Sequence, residues 1–327
     1  MKTLFRRSLL AAALGLAGTA AIAQAAPPGA FPQKPVRLVV TYPPGGTVDA
    51  VARIVGPKLS LRWGQPVIID NRAGGGGLIG GDIVVKAPAD GYTLLFDASN
   101  QAQNPALKKN MPFDTQRDLK PVSLLVKVPN VLVVNPQFEA QTVKALIALA
   151  KAKPGQINYA SSGNGSAQHL AGELFGVMTN TQMTHVAYRG GGPAMVDVMA
   201  GQVPVFFASV ASALPYIKSG KLRPVAIAGL KRSPVMPEVP TIAESGVPGY
   251  ESSEWNAVLA PAGTPQAIVD QVSRDIAAVL ADREVNARLI ALGAEVIGST
   301  PAELERFRRN EIERWTKLAR QAHIELE

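Results

Sequence analysis

The segment VRLVVTYPPGGT, residues Val36–Thr47, contains the pattern that predicts the fold class of this chain. Its first part, up to Tyr42, is a mostly apolar run of the kind that forms a strand buried on both faces. Two prolines and two glycines end the strand, and a helical pattern follows from about Asp49 to Ser60. A strand, a glycine-rich turn and a helix in this order predict an α/β protein with parallel strands.

The same order of strand, loop and helix recurs in both halves of the chain. Tyr92–Asp97 predicts another strand of the first half, and Leu124–Val134 is an apolar run that Pro129 interrupts. In the second half, a predicted strand at Ile157–Ala160 leads through a loop into a predicted helix at Ala167–Thr179. We therefore predict two lobes, each with a mainly parallel sheet flanked by helices.

No linker rich in serine, glycine or proline separates the lobes, so we expect the chain to cross between them through ordered segments. We place the two crossings near Leu132–Pro136 and Pro224–Gly229. Lobe 1 then comprises residues 35–132 and 229–327, and lobe 2 comprises residues 133–228.

The N-terminus predicts an export leader, residues 1–25. A basic start precedes the apolar run Leu9–Ala23, which is too short to span a membrane. Small residues then provide a cleavage site before Ala26. We therefore expect the mature chain in the periplasm, without membrane insertion.

The charge pattern excludes several classes of partner. Removal of the leader takes away Lys2, Arg6 and Arg7 and lowers the formal net charge from +8 to +5. The remaining basic residues alternate with acids, as at Glu305 and Arg309, which lie four apart in a predicted terminal helix. We expect no nucleic-acid binding, because no basic stripe with aromatic side chains is present. With no cysteine and three histidines, a metal site is not expected either.

Two loops share a design that suits anions. Gly45-Gly46-Thr47 follows one predicted strand, Ser161–Ser166 follows another, and each opens a helix. Glycine allows close approach to the backbone, and the start of a helix presents free N–H groups and a partial positive charge. One such contact contributes about 0.3–2 kcal/mol from the helix dipole, whereas micromolar binding needs about 8 kcal/mol. A facing pair of loops, one per lobe, therefore fits a carboxylate ligand better than one loop alone.

Other patterns point to different chemistry. Gly75, Gly77 and Gly80 fit the G-x-G-x-x-G spacing of dinucleotide-binding loops, but four consecutive glycines fit many patterns, and we interpret them as a turn before a helix. Ser166 and His169 could share a helix face, as in a hydrolase, but no G-x-S-x-G elbow occurs. We therefore expect no cofactor and no catalytic residue. Asp49, Asp97 and Glu254 are isolated acids, for which the sequence indicates no partner residue in a catalytic site.

Several segments follow one another in an order typical of a single family: VRLVVTYPPGGTVDAVAR (Val36–Arg53), VIIDNRAGGGGLIGG (Val67–Gly81), INYASSGNGSAQHLAGELF (Ile157–Phe175), HVAYRGGGPAMVDVMAGQV (His185–Val203) and PEVPTIAESGVPGYE (Pro237–Glu251). Together they resemble the Bug-type solute-binding receptors of tripartite tricarboxylate transporters. The resemblance covers essentially all of the mature chain. It implies a type II periplasmic-binding-protein fold with a ligand cleft between the two lobes.

The resemblance also implies a binding site and a partner. In that family the two loops hold carboxylates through backbone amides, hydroxyls and waters, and the loops around Ala98–Asn100 and Phe207–Ser209 form the walls of the cleft. The loaded receptor, expected to be a monomer, then docks on membrane permease subunits. The ligand-binding residues that the resemblance implies are Tyr42, Gly45, Gly46, Thr47, Ser99, Ser162, Gly163, Gly165, Ser166 and Ala208.

The sequence departs from the family pattern at two positions. Many relatives have an acid where this chain has Ala208-Ser209, and a small or hydroxyl residue at Val48. The first change favours a ligand without an ammonium group, or a bulkier one. The ligand stays open among dicarboxylates, tricarboxylates, acidic amino acids and aromatic acids. Two other functions also stay open: a ligand-sensing receptor for a signalling system and, less favoured, an exported serine hydrolase.

Overall fold

The computed structural model describes residues 31–322 and Ile324, so the predicted leader, residues 1–25, lies outside the described residues. The described chain alternates strands and helices, as expected for an α/β protein. The strands are β1 (Val36–Val40), β2 (Val67–Asn71), β3 (Thr93–Asp97), β4 (Leu119–Val134), β5 (Asn158–Ser161), β6 (Thr184–Ala187), β7 (Val205–Ser209), β8 (Arg223–Ile227), β9 (Ser253–Pro261) and β10 (Glu295–Val296).

The helices begin where the glycine-rich and polar loops end. The first begins at Thr47, directly after the two glycines, and continues through Pro57 to Trp63, beyond its predicted end near Ser60. The helices are α1 (Thr47–Trp63), α2 (Leu78–Val85), α3 (Asn100–Leu107), α4 (Val143–Ala152), α5 (Ala167–Thr179), α6 (Gly191–Met199), α7 (Val210–Lys218), α8 (Gln266–Ala281), α9 (Arg283–Ala291) and α10 (Pro301–Ala322).

The strands form one sheet in the order β2-β1-β3-β9-β4-β7-β5-β6, with β8 and β10 also beside β4. At the two outer ends, β1 pairs in parallel with β2 and β3, and β5 pairs in parallel with β6 and β7. All pairs that involve β4 or β9 are antiparallel. Each outer part therefore has the parallel pairing that the sequence predicts, while the antiparallel centre was not foreseen.

Strand β4 is long enough to belong to two parts of the sheet. Its residues Leu119–Pro129 pair with β9, and its residues Asn130–Val134 pair with β7 and β8. Pro129, expected to interrupt the strand, lies where the partners change, a position that tolerates a residue without an N–H group. We call lobe 1 the part made by β1, β2, β3, β9, β10 and Leu119–Pro129, and lobe 2 the part made by β5 to β8 and Asn130–Val134.

Lobe 2 has a compact apolar core of its own. The rings of Phe175 and Phe207 lie 5.7 Å apart, and the ring of Tyr250 lies 6.2 Å from that of Phe175. The Tyr250 hydroxyl donates a hydrogen bond to the carbonyl oxygen of Ala171 at 2.7 Å. The chain therefore still contacts lobe 2 at Tyr250, well after the predicted second crossing near Pro224–Gly229. The exact lobe boundaries stay a prediction.

The terminal helix α10 packs its apolar stripe into lobe 1. Leu304 and Trp315 are almost completely buried there, while Glu305 and Arg309 form an ion pair at 3.8 Å on the outer side. Arg308 lies between these faces and is fully buried. Its Nη1 donates to the carbonyl oxygens of Thr115 at 2.7 Å and of Leu119 at 3.3 Å, and its Nη2 donates to Glu305 at 2.6 Å. This one side chain therefore ties the last helix to the start of β4.

We expect Arg308→Met to lower the free energy of unfolding by about 1–3 kcal/mol, because two carbonyl oxygens lose a charged donor. Chemical denaturation measures this loss. The matched control is Arg309→Met on the exposed side of the same helix, where the ion pair contributes little. Equal effects of the two substitutions would contradict a special role for Arg308.

Candidate ligand-binding site

A cavity lies where lobe 1 and lobe 2 meet. It contains about 470 Å³ of empty space, including its mouth. No lysine, arginine or histidine of the described chain lines it. The lining residues are Tyr42, Pro43, Gly46, Thr47, Val48, Ala98, Ser99, Ser162, Ala167, Gln168, Gly191, Gly192, Ser209, Ser212 and Glu254.

Five helices begin at this cavity. Their first residues or N-caps line it: Thr47 for α1, Ser99 for α3, Ala167 for α5, Gly191 for α6 and Ser209 for α7. The first four N–H groups of a helix have no partner within the helix, and the aligned peptide dipoles add a partial positive charge there. The helix starts therefore supply partial positive charge at the cavity without a basic side chain, which suits a carboxylate.

The loop before α1 uses one of its amides to hold its own shape. Gly45, at a φ of 88°, donates its N–H to Asp49 Oδ2 at 3.0 Å. Burial by itself would raise the pKa of Asp49, but hydrogen bonds from Arg53, from that amide and from Asn71 outweigh it and lower the pKa. Asp49 thus stays ionised and fixes the loop, which leaves Gly46 and Thr47 facing the cavity.

The loop before α5 is organised in the same way. Ser161 Oγ accepts a hydrogen bond from the Gly163 amide at 3.0 Å, and Ser166 Oγ accepts one from the His169 amide at 3.2 Å. The Gly165 amide donates to His169 Nδ1 at 3.2 Å. These groups shape the loop and cap the helix, so the residue of the loop that lines the cavity is Ser162.

The two lobes touch across the cavity through hydrogen bonds. Thr47 Oγ1 of lobe 1 donates to Ser209 Oγ of lobe 2 at 2.8 Å. On another wall, Gln168 Nε2 donates to Glu254 Oε2 at 2.9 Å, which joins α5 to β9. The cavity is therefore a closed cleft, and its geometry depends on contacts between the lobes.

The model of the family described as "Tripartite tricarboxylate transporter family receptor" matches residues 51–324. The chain belongs to this family. The resemblance to Bug-type receptors, and the two-lobed fold that it implies, are confirmed. None of the helices in the part of the chain that the structure describes is both long enough and apolar enough to cross a bilayer.

Three solved structures share the fold and a substantial part of the sequence. The R. palustris protein Rpa4515, solved with adipate, is 38% identical, with a TM-score of 0.87 over 90% of this chain and 99% of that one. The periplasmic binding protein BugD is 32% identical, with a TM-score of 0.86 over 91% and 100%. MatC from Rhodopseudomonas palustris, solved with malate, is 31% identical, with a TM-score of 0.84 over 88% and 99%.

The structure of this receptor brings half of the predicted ligand-binding residues together. Tyr42, Gly46, Thr47, Ser99 and Ser162 line the cavity. The others do not line it, although Gly163 lines a neighbouring cavity and Ala208 precedes the lining residue Ser209. A role in binding stays a prediction for the whole set. The predicted residues that lie outside the cavity lining are Gly45, Gly163, Gly165, Ser166 and Ala208.

Sequence reasoning missed two parts of the cavity. Gly191 and Gly192 begin α6 directly after β6, which repeats the pattern of strand, glycine loop and helix that identified the other two loops. The sequence therefore carries a signal for this part of the cavity too. Glu254 could not be found in this way, because β9 reaches the cavity only through the antiparallel centre of the sheet. Gln168 lies in the first turn of α5, two residues after the predicted Ser161–Ser166 loop, but its contact with Glu254 depends on the same long-range pairing.

A buried acid, Asp97, lies near Tyr42 of the cavity lining. Asp97 accepts hydrogen bonds from the Ala98 amide at 2.8 Å and from Asn100 Nδ2 at 3.0 Å, as well as from Thr41 and Gln101. Burial nevertheless raises its pKa to about 6. Burial, and then the nearby carboxyl groups of Asp97 and Glu254, raise the pKa of Tyr42 far above its usual value. The Tyr42 hydroxyl therefore keeps its proton and can donate it in a hydrogen bond.

A pair of histidines lies beneath the α5 loop. The rings of His169 and His185 stack with centroids 3.9 Å apart, and His185 Nε2 lies 2.5 Å from Ser161 Oγ. Burial lowers the pKa of His169 to about 3, with His185 adding to the effect, and burial lowers that of His185 to about 4. Ser166 bonds to the backbone of His169 and not to its ring, so these two residues do not form the pair that a hydrolase would use.

A larger cavity adjoins the first and shares Tyr42, Pro43 and Ser162 with it. The glycine run Gly74–Gly77 lines it and forms a 3-10 turn before α2, as the sequence predicts. Lys108 of lobe 1 and Arg189 of lobe 2 also line this outer cavity. Basic side chains thus stand next to the ligand cavity but not inside it.

We expect His169 and His185 to lower the free energy of unfolding as the pH drops from about 6.5 towards 4. Unfolded histidines take up protons in this range, whereas buried His169 and His185 do not, because their pKa values are depressed. Their contribution to stability is complete above pH 6.5 and is lost as the pH falls towards their folded pKa values. Each histidine adds a slope of at most about 1.4 kcal/mol per pH unit.

Asp97 acts in the opposite direction, since its raised pKa favours the folded state at low pH. The test is therefore the difference between the parent chain and His169→Gln, which both keep Asp97. Glutamine retains an acceptor for the Gly165 amide. Denaturation at several pH values should give a shallower slope for the variant, and identical slopes would refute the assignment.

Proposed function

We propose that this chain is a periplasmic receptor that binds a small carboxylate between its two lobes and delivers it to the permease of a tripartite tricarboxylate transporter. The observation that carries the proposal is the convergence of five helix starts on a cavity without a basic side chain. Such a cavity attracts an anion through backbone amides whose directions are fixed by the fold.

The number of helix starts suits the affinity that a receptor needs. A single helix dipole contributes about 0.3–2 kcal/mol, and a charge-assisted hydrogen bond contributes about 1.5–3 kcal/mol. Micromolar binding requires about 8 kcal/mol after the cost of association. Several amides, with the hydroxyls of Ser162 and Ser209, can together supply that amount.

The relatives support a carboxylate as the ligand class. The two R. palustris proteins were solved with adipate and with malate, both of which are dicarboxylates. The family itself is described as the receptor of a transporter, which supports delivery to a permease over a signalling output. The hydrogen bond between Thr47 and Ser209 supports closure of the lobes around the ligand as the state that docks.

We expect Gly192→Asp to abolish carboxylate binding, with a loss of at least about 100-fold in affinity. Gly192 is the second residue of α6, and a Cβ atom there meets no heavy atom within 4 Å. The new carboxylate would occupy the anion site. An acid near a helix start also tends to stabilise the fold, so the variant should remain folded. Calorimetry with succinate, malate, adipate and citrate measures the effect.

The matched control is Gly192→Asn, which has the same shape without the charge. It should retain more of the affinity than Gly192→Asp. Equal affinities of the parent chain and Gly192→Asp for these acids would place the binding site elsewhere.

A further inference from the structure

One acid lies inside the cavity that attracts anions. Glu254 of β9 lines the cavity and is only 6% exposed. Among the described residues, no lysine, arginine or histidine forms an ion pair with it. Its oxygens instead accept hydrogen bonds from Gln168 Nε2 at 2.9 Å and from Asn256 Nδ2 at 3.2 Å. An unpaired buried acid in such a cavity needs a functional or structural explanation.

The two amide donors leave Glu254 with acceptor capacity. A carboxylate has about four lone-pair sites, and Gln168 and Asn256 use two of them. Burial raises the pKa of Glu254, while the two amide hydrogen bonds oppose that rise. When Glu254 is ionised, neither amide neutralises its charge, so a ligand group that faces it must then be a donor or must bring a proton.

We propose that Glu254 sets the ligand class by accepting a hydrogen bond from a hydroxyl or ammonium group of a ligand that carries one carboxylate. This inference rests on the proposed carboxylate-binding function and adds to it. The carboxylate of the ligand lies at the helix starts, and the donor group lies towards β9. A second carboxylate at that position would meet a like charge, which disfavours binding by at least about tenfold.

Glu254 also makes the hydrogen-bonding properties of the two ends of the cleft different. The helix starts can only donate, whereas Glu254 can only accept when it is ionised. A ligand with an acceptor at one end and a donor at the other therefore binds in one orientation. A symmetric dicarboxylate would leave Glu254 facing a second acceptor.

The experiment uses two sets of probes with equal chain lengths. The first set is succinate, γ-hydroxybutyrate and γ-aminobutyrate, and the second is adipate, ε-hydroxyhexanoate and ε-aminohexanoate. Calorimetry at pH 8 measures each affinity for the parent chain, for Glu254→Gln and for the control Glu251→Gln. Glu251 does not line the cavity, so its substitution removes the same charge without changing the site.

We expect the parent chain and Glu251→Gln to bind the hydroxyl-ended or ammonium-ended probe at least tenfold more tightly than the dicarboxylate of the same length. Glu254→Gln should lose this preference through tighter binding of the dicarboxylate. Tighter binding of the dicarboxylate by the parent chain overturns the inference even if Glu254→Gln fails to fold, but leaves the carboxylate function intact. Failure of all six probes to bind the parent chain contradicts the carboxylate function and the inference together.

Discussion

The arrangement on which the site depends is topological. In each lobe the parallel strands end at the same edge of the sheet, and β1, β3, β5, β6 and β7 are each followed by a helix that begins at the cavity. Because the two lobes present these edges to each other, the starts of five helices meet at one cavity. The partial positive charge that they supply is a property of the backbone and does not require a basic side chain.

This arrangement also explains where charged groups are found. Inside the cavity an additional cation is not needed, and Lys108 and Arg189 lie in the neighbouring outer cavity. Acids close to the cavity are held mostly by neutral donors: Asp97 by an amide and three side chains, and Glu254 by two side-chain amides. Asp49 is the exception, because Arg53 pairs with it on the outer side of the α1 loop. Asp49 and Asp97 thus fix the geometry of the loops, whereas Glu254 stands inside the cavity as a hydrogen-bond acceptor.

Much of this could be predicted from the sequence, because the decisive elements are local. The glycines before Thr47 and the Ser161–Ser166 loop identify two helix starts directly, since glycine and hydroxyl residues are preferred at the position before a helix. The start of α6 carries the same signal and could also be predicted. The contribution of β9 could not be predicted, because it depends on antiparallel pairing between strands that are far apart in the sequence. Long-range pairing leaves no pattern of residue types that a single sequence reveals.

The hydroxyl contact between Thr47 and Ser209 joins protein atoms only. This contact therefore contributes to the free energy of closing the cleft independently of any ligand. In the proposed receptor, the apparent affinity then depends on the intrinsic affinity of the closed state and on the fraction of molecules that are closed. A substitution at Thr47 or Ser209 would therefore act on the observed affinity in two ways, through the closing equilibrium and through the cavity lining to which both residues belong.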